Sequence, residues 1–300
     1  MKKQLLLAAP LIALLFFACN KQDGVVSPKD SSLAESSHSN TLSSAPVTLV
    51  SSIGRSGGGL YDSYNYETNF TYTGRQLTKA ESKMRPREFD VAVGVTTNFY
   101  YDTNGQLTNT SIQLSYPQGH PAAPSDIASA KITNAGGHIA SIEFFRQDGL
   151  SDRKFLIAYS NDKLVQIFDP NYQKTTYEYD EKGNNIKQIV EGYVNGAPTG
   201  AVATVVNSSF DSHFNFQKSM PLWVYFRCFH ICMSKQGAIL NFSVLQGSFT
   251  NTPGVNNPLS ISTYDADPIL NYYEYNASDY PTVICDRKQY LWLYSYITVE

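Results

Sequence analysis

The sequence predicts a mostly β protein: a large, twisted antiparallel sheet built as a meander of hairpins, with at most one short helix packed on it. Three observations lead there. The 300-residue chain is 13% aromatic and only 16% charged, with 21 Tyr and 16 Phe, and these rings favour pleated, half-buried positions. A phrase made of an aromatic residue, Asp or Asn, a glycine and an aliphatic residue recurs along the chain. Between its copies, apolar and polar residues alternate with period two. The same composition excludes an intrinsically disordered chain, which is poor in aromatics. Four cysteines are too few for a disulfide scaffold. A net charge of −3 carries no nucleic-acid footprint, so no nucleic-acid partner is expected.

The first element is an address. Lys2 and Lys3 precede an apolar run from Leu5 to Phe17, interrupted by Pro10. That run is shorter than the ~20 residues of a membrane-spanning helix, and a basic start before a short apolar core reads as a secretory signal over residues 1–18. It ends Leu15-Phe16-Phe17-Ala18-Cys19, which resembles the lipobox of bacterial lipoproteins. The resemblance implies cleavage after Ala18 and acylation of Cys19, so that the partner at this end is a membrane reached through lipid. Asn20 follows Cys19 where an Asp would favour inner-membrane retention, which implies the outer membrane. Lys21-Gln22-Asp23 resembles the surface-export signals of Bacteroidetes-type lipoproteins, which implies exposure at the cell surface. Residues 19–60 then read as the lipidated cysteine and a flexible tether. Residues 20–46 are Ser-rich with few large apolar side chains, too little to offset their ordering entropy, and Gly57-Gly58-Gly59 extends irregular chain to about residue 60.

Residues 61–300 read as one antiparallel β domain. Phe99-Tyr100-Tyr101-Asp102-Thr103-Asn104-Gly105-Gln106-Leu107 is the cleanest copy of the phrase. Phe70 to Leu77, Ile157 to Leu164, Tyr177 to Ile186 and Tyr273 to Pro281 are variants. Asp and Asn bond their own backbone and start turns, and Gly supplies the positive φ of a hairpin. Alternation at Ile112 and Leu114, Ile142 and Phe144, and Phe155, Ile157 and Tyr159 marks the strands. The phrase resembles the tyrosine–aspartate (YD) repeats of Rhs-type proteins. More closely, the chain is similar to an uncharacterised Bacteroidetes lipoprotein family with degenerate copies of those repeats, followed by a stretch like Asn256-Asn257-Pro258-Leu259-Ser260. That resemblance implies a twisted antiparallel sheet and no established activity. With the anchor at the N-terminus and no aromatic at the C-terminus, no outer-membrane barrel is expected.

One stretch breaks the cadence. Leu222 to Met233 is almost continuously apolar after Pro221, and periodicity cannot separate a buried helix from a two-sided strand. Pro221 suits a first helical turn, which favours the helix. On a strand Cys228, His230 and Cys232 would share one face, close enough to bind a soft metal, but the spacing is not a standard zinc pattern and free Cys inside an apolar run is usually a small core residue, so no metal is assigned. In an exported chain a disulfide of Cys228 or Cys232 with Cys285 is a candidate that ranks above the metal.

No nucleophile elbow, His-Glu-x-x-His or phosphate-binding glycine loop is present, so no catalytic residue and no cofactor is assigned. Asp265 and Asp267 lack the other ligands of a calcium loop. Glu178, Asp180 and Glu181 could join a distant carboxylate in a glycosidase couple, but solvated hairpin charges explain them more simply. The run Tyr290 to Val299 alternates so that Tyr290, Trp292, Tyr294 and Tyr296 share a face. Buried, that face is core; bare, it is a ligand-binding platform. The sequence thus supports a non-enzymatic surface lipoprotein that binds a glycan or a protein. The competing readings are a polysaccharide hydrolase using paired carboxylates and a structural envelope component.

Overall fold

The computed structural model describes residues 46–56, 65–85, 93–116, 123–215, 219–220, 222–234, 253–263, 268–286 and 291–299. The chain enters through β1 (Val47–Ser56), β2 (Asn65–Thr73), β3 (Gln76–Arg85) and β4 (Val93–Tyr101). It continues through β5 (Leu107–Ser115), β6 (Ile127–Ala135), β7 (His138–Arg146) and β8 (Ser151–Ser160). Next come β9 (Lys163–Asp169), β10 (Gln173–Tyr179), β11 (Asn185–Val194) and the long β12 (Ala197–Phe214). After helix α1 (Trp223–Ser234), β13 (Asn256–Thr263), β14 (Ile269–Tyr275), β15 (Pro281–Asp286) and β16 (Leu291–Val299) complete the meander.

Every strand pairs antiparallel with its sequence neighbours, and β1 pairs with β16, so the sheet closes into a barrel of 16 strands. Closure goes beyond the sheet expected from sequence, and it comes from a strand inside the stretch read as tether. In β1, Val50 and Ile53 are fully buried, opposite Tyr296 and Tyr294 across the seam. The serines around them hid this strand. Pairing the first and last strands leaves no open edge among the sixteen.

The hairpins explain the recurring phrase. In the β4–β5 turn, Asp102 Oδ1 accepts from the amides of Asn104 and Gln106, both at 2.9 Å, and the Gly105 amide donates to the Asp102 carbonyl. Asp180 with Gly183 and Asn184, and Asn276 with Asp279 and Tyr280, repeat these backbone bonds. The fourth residue of each loop is left-handed: φ is 76° at Gly105, 85° at Gly183 and 63° at Asp279. The β6–β7, β8–β9 and β11–β12 turns place two positive-φ residues in succession, Gly136-Gly137, Asn161-Asp162 and Asn195-Gly196, the type I′ signature that matches strand twist. Because the meander alternates direction, the turns after β2, β4, β6, β8, β10 and β14 all fall at one end, the tyrosine rim.

Inside and outside are chemically distinct. Leu107, Ile112, Leu114, Ile142, Phe144, Phe155, Ile157 and Leu164 are buried toward the lumen. The outer face of β2 to β11 carries charged pairs among scattered exposed apolar side chains such as Tyr100 and Leu156. At mid-strand height Lys131 opposes Glu143 and Glu143 opposes Lys154. Lys79 bonds Glu81 at 2.8 Å, Glu178 bonds Lys187 at 3.3 Å, and Lys174 pairs with Glu191. The outer face of β12, β14 and β16 is more apolar, with Val206, Leu270, Tyr272 and Leu293 all exposed.

Helix α1 lies in the lumen, not on an outer face of the sheet. Phe226 packs edge-on against Phe70 of β2 at 5.7 Å, and Tyr225 against Phe99 of β4 at 5.3 Å. Tyr225 and Phe229 reach Phe144 of β7, and the Tyr225 hydroxyl meets Thr110 of β5 at 3.1 Å. Cys232 Sγ lies 3.5 Å from Asp152 of β8. One helix touching strands from β2 to β8 must run inside the ring. Apart from Arg227 and His230 it is apolar, and most of its circumference is buried: Tyr225, Cys228 and Cys232 are fully buried, and Met233 is 1% exposed. Each buried ring contributes roughly 1.5–3 kcal/mol, so this plug is a main part of the core.

Candidate functional site

The residues singled out by sequence mostly turn out to be structural. Cys19 and Tyr290 lie outside the described residues, as do Asp265 and Asp267. Trp292 and Tyr294 are buried in the lumen at 3% and 4% exposure, and the Tyr296 hydroxyl donates to the Pro281 carbonyl at 2.6 Å. Trp292 and Tyr294 are therefore core and offer no bare platform. Cys228 and Cys232 are buried thiols on α1, and neither is joined to Cys285 in a disulfide. Cys285 stands opposite Tyr272, whose ring is half exposed on the outer wall, while the helix thiols face the lumen. The wall itself separates the two. Burial pushes both helix thiols up from the usual cysteine range. Burial, then the Arg227 guanidinium, push His230 down to about 3. Among the described residues, no three His, Cys, Asp or Glu side chains are grouped to hold a metal.

The tyrosines of the phrase form a ring of latches below the rim. Tyr72 donates its hydroxyl to the Val50 carbonyl, Tyr179 to Leu164 and Tyr273 to Pro258. Each reaches back to the strand before its own. Burial raises the pKa of Tyr72 and Tyr179 above the usual tyrosine value.

Clefts open at this rim, two of them where the connections to the plug leave and enter the ring. The larger, about 670 Å³, lies between the β10–β11 turn and the end of β12, and Asp180, Glu181, Asn184, Phe210 and Asp211 line it. Two of its three acids, Asp180 and Asp211, are occupied. Asp180 takes both the amide and the side chain of Asn184. Asp211 accepts from the Asn257 amide at 3.0 Å, the Asn257 side chain at 3.1 Å and the Tyr275 hydroxyl. The Asn256 amide donates to Asn184 Oδ1, and Asn256 Nδ2 to the His213 carbonyl. This network clamps the neck where the chain leaves β12 for the plug and returns to β13. It is built of asparagines because a buried amide can satisfy a carbonyl and an amide at once.

The second cleft, about 380 Å³, opens where α1 enters the lumen. The β4–β5 turn contributes Asn104 and Gln106, the β6–β7 hairpin His138, β8 Tyr159, and the helix start Leu222 and Trp223. His138 stacks on Tyr159 at 4.4 Å and lies 3.0 Å from Asp162. Leu222 is left-handed, with φ of 65°, an uncommon state for a bulky side chain that marks strain where the chain turns into the helix. Sequence reasoning did not bring His138, Trp223, Asn104 and Gln106 together as neighbours. The available signal was that alternate hairpin turns of a meander share one end.

No protein-family model matches the chain, and no curated protein matches it. Among solved structures, the chain is similar to a porin-like protein from Bacteroides uniformis, with a TM-score of 0.50 and 14% identity over 83% of this chain and 96% of that one. A porin-like protein from Bacteroides vulgatus aligns over 83% of this chain and 99% of its own at 13% identity, with a TM-score of 0.31. The first likeness is one of fold: a barrel of similar extent.

Proposed function

We propose that this chain is a non-enzymatic lipoprotein of the outer membrane or cell surface, moored by an acylated Cys19, whose barrel stands in water and binds a glycan or protein at its tyrosine rim. The observation that carries the reading is the outer wall. Lys131, Glu143 and Lys154 meet at mid-strand on the outside, where Lys or Arg facing lipid at the bilayer midplane costs roughly 2–4 kcal/mol per residue. The lumen supports the same reading, because an apolar helix fills space that a 16-strand porin leaves as an aqueous channel. The likeness to a porin-like protein then speaks for shared architecture alone. A hydrolase is disfavoured because Asp180 and Asp211 are spent on the Asn184 and Asn257 clamps, which leaves Glu181 without a free acid partner among the residues lining that cleft.

The test is Cys19→Ser in the full chain. The reading expects the variant to leave the membrane fraction for the soluble fraction with an unchanged far-ultraviolet spectrum. Retention in carbonate-washed membranes, or ion conductance by the purified protein in planar bilayers, contradicts it.

A further inference from the structure

We infer that the cleft at the mouth of the plug is a binding site for a neutral saccharide unit; this rests on the reading of the chain as a rim-binding module and names its ligand class and place. The cavity, about 380 Å³, lies within the ~300–1,000 Å³ range of small-molecule sites. Its lining joins rings and amides. The Tyr159 ring, covered on one face by His138, and the edge of Trp223, which is 7% exposed, bring apolar surface, and Asn104 and Gln106 each carry a side-chain amide that both donates and accepts. Asn104 and Gln106 are exposed, held on a turn whose Asp102 bonds fix the backbone beneath them.

The charge balance selects the class. No Lys, Arg, Asp or Glu is among the residues that line this cleft, so nothing there matches a phosphate, a sulfate or a carboxylate. The one titratable ring other than tyrosine, His138, is already stacked on Tyr159 and set against Asp162. A pyranose suits this lining: its C–H surface meets the apolar edges of Trp223 and Tyr159, and its paired hydroxyls suit amides that give and take a hydrogen bond. The neighbouring larger cleft differs in both respects, since acids line it and its asparagines are spent on the neck clamp. Leu222, left-handed at the foot of the pocket, turns the chain so that Trp223 joins the lining, a strained residue at the point where a ligand would sit.

The experiment is calorimetric titration of the full mature chain with cellobiose, chitobiose and maltose, and separately with digalacturonate and a proline-rich hexapeptide. Tryptophan emission is followed in parallel, in the native chain and in Trp292→Phe, which leaves Trp223 as the only indole. Saturable binding of at least one neutral disaccharide with a shift in Trp223 emission is expected. Asn104→Ala/Gln106→Ala should weaken it about tenfold, as the loss of two hydrogen bonds implies, without lowering the melting temperature. Binding of only the acidic sugar or only the peptide overturns the ligand class. Disaccharide binding that is unchanged in the double variant overturns the place while leaving the chain a glycan binder. Absence of binding to every probe overturns the inference, and the Cys19→Ser fractionation still decides the broader reading.

Discussion

The hydroxyl of Tyr101 on β4 donates to the backbone carbonyl of Leu77 on β3 at 2.7 Å. Leu77 is itself the aliphatic end of the preceding phrase, so one copy of the repeat ties itself to the copy before it. Tyr179 repeats this with Leu164. The tyrosine thus does two things in one residue: its ring fills the lumen near the rim, and its hydroxyl satisfies a carbonyl of the strand before its own. Tyr101→Phe keeps the ring and leaves the Leu77 carbonyl without this donor. The expected loss is about 1–2 kcal/mol in urea unfolding, against almost none for Tyr100→Phe, whose ring is half exposed.

The left-handed turn position predicts an ordering. A Cβ at Gly183 would come within 3.0 Å of Val255 Cγ2, whereas at Gly105 it would meet the movable end of Gln76 at 3.1 Å. Gly105→Ala should therefore cost about 1–2 kcal/mol, the usual left-handed penalty. Gly183→Ala should cost more, because Val255 is held by its bond to the Gly183 carbonyl. Equal melting temperatures for the two variants would remove this explanation.

His230 gives the fold an acid limit. In the plug its pKa is depressed to about 3 from 6.5, by burial first and by Arg227 second. The unfolded chain therefore takes up a proton here that the folded chain refuses. Stability from this residue is intact above about pH 6.5 and falls as pH drops toward 3, by up to ~1.4 kcal/mol per pH unit. Unfolding measured across that window should steepen in the native chain relative to His230→Leu. Identical pH profiles would contradict the burial of this ring.

The plug thiols offer a direct probe of the lumen. In a Cys285→Ser background, Cys228 and Cys232 should react with a thiol reagent only as fast as the barrel opens, at a rate independent of reagent concentration. Fast, concentration-dependent labelling would mean that the helix does not lie where the rings of Phe70, Phe99 and Phe144 hold it.

The fold was largely legible because its signals are local. Asp102 with Gly105 and Asp180 with Gly183 announce turns by chemistry alone, and Ile142 with Phe144 or Phe155 with Ile157 announce strands by period. Closure was not legible: Val50 and Ile53 sit among serines, and whether β1 meets β16 depends on the count and tilt of all the strands between. The helix could be read at Leu222 to Met233, but its place could not, since a largely apolar helix fits a lumen as well as a two-sided interior layer. The rim cleft was least legible, because Asn104 and Trp223 are far apart in sequence and become neighbours only when the plug folds back into the ring.

The account turns on whether water or lipid surrounds the wall at Lys131. A spin label at Lys131→Cys, in the acylated, membrane-attached protein with Cys285→Ser, reports this through its relative collision rates with oxygen and with a water-soluble nickel chelate. The account predicts collisions dominated by the nickel chelate. Collisions dominated by oxygen would put this face in hydrocarbon and contradict it.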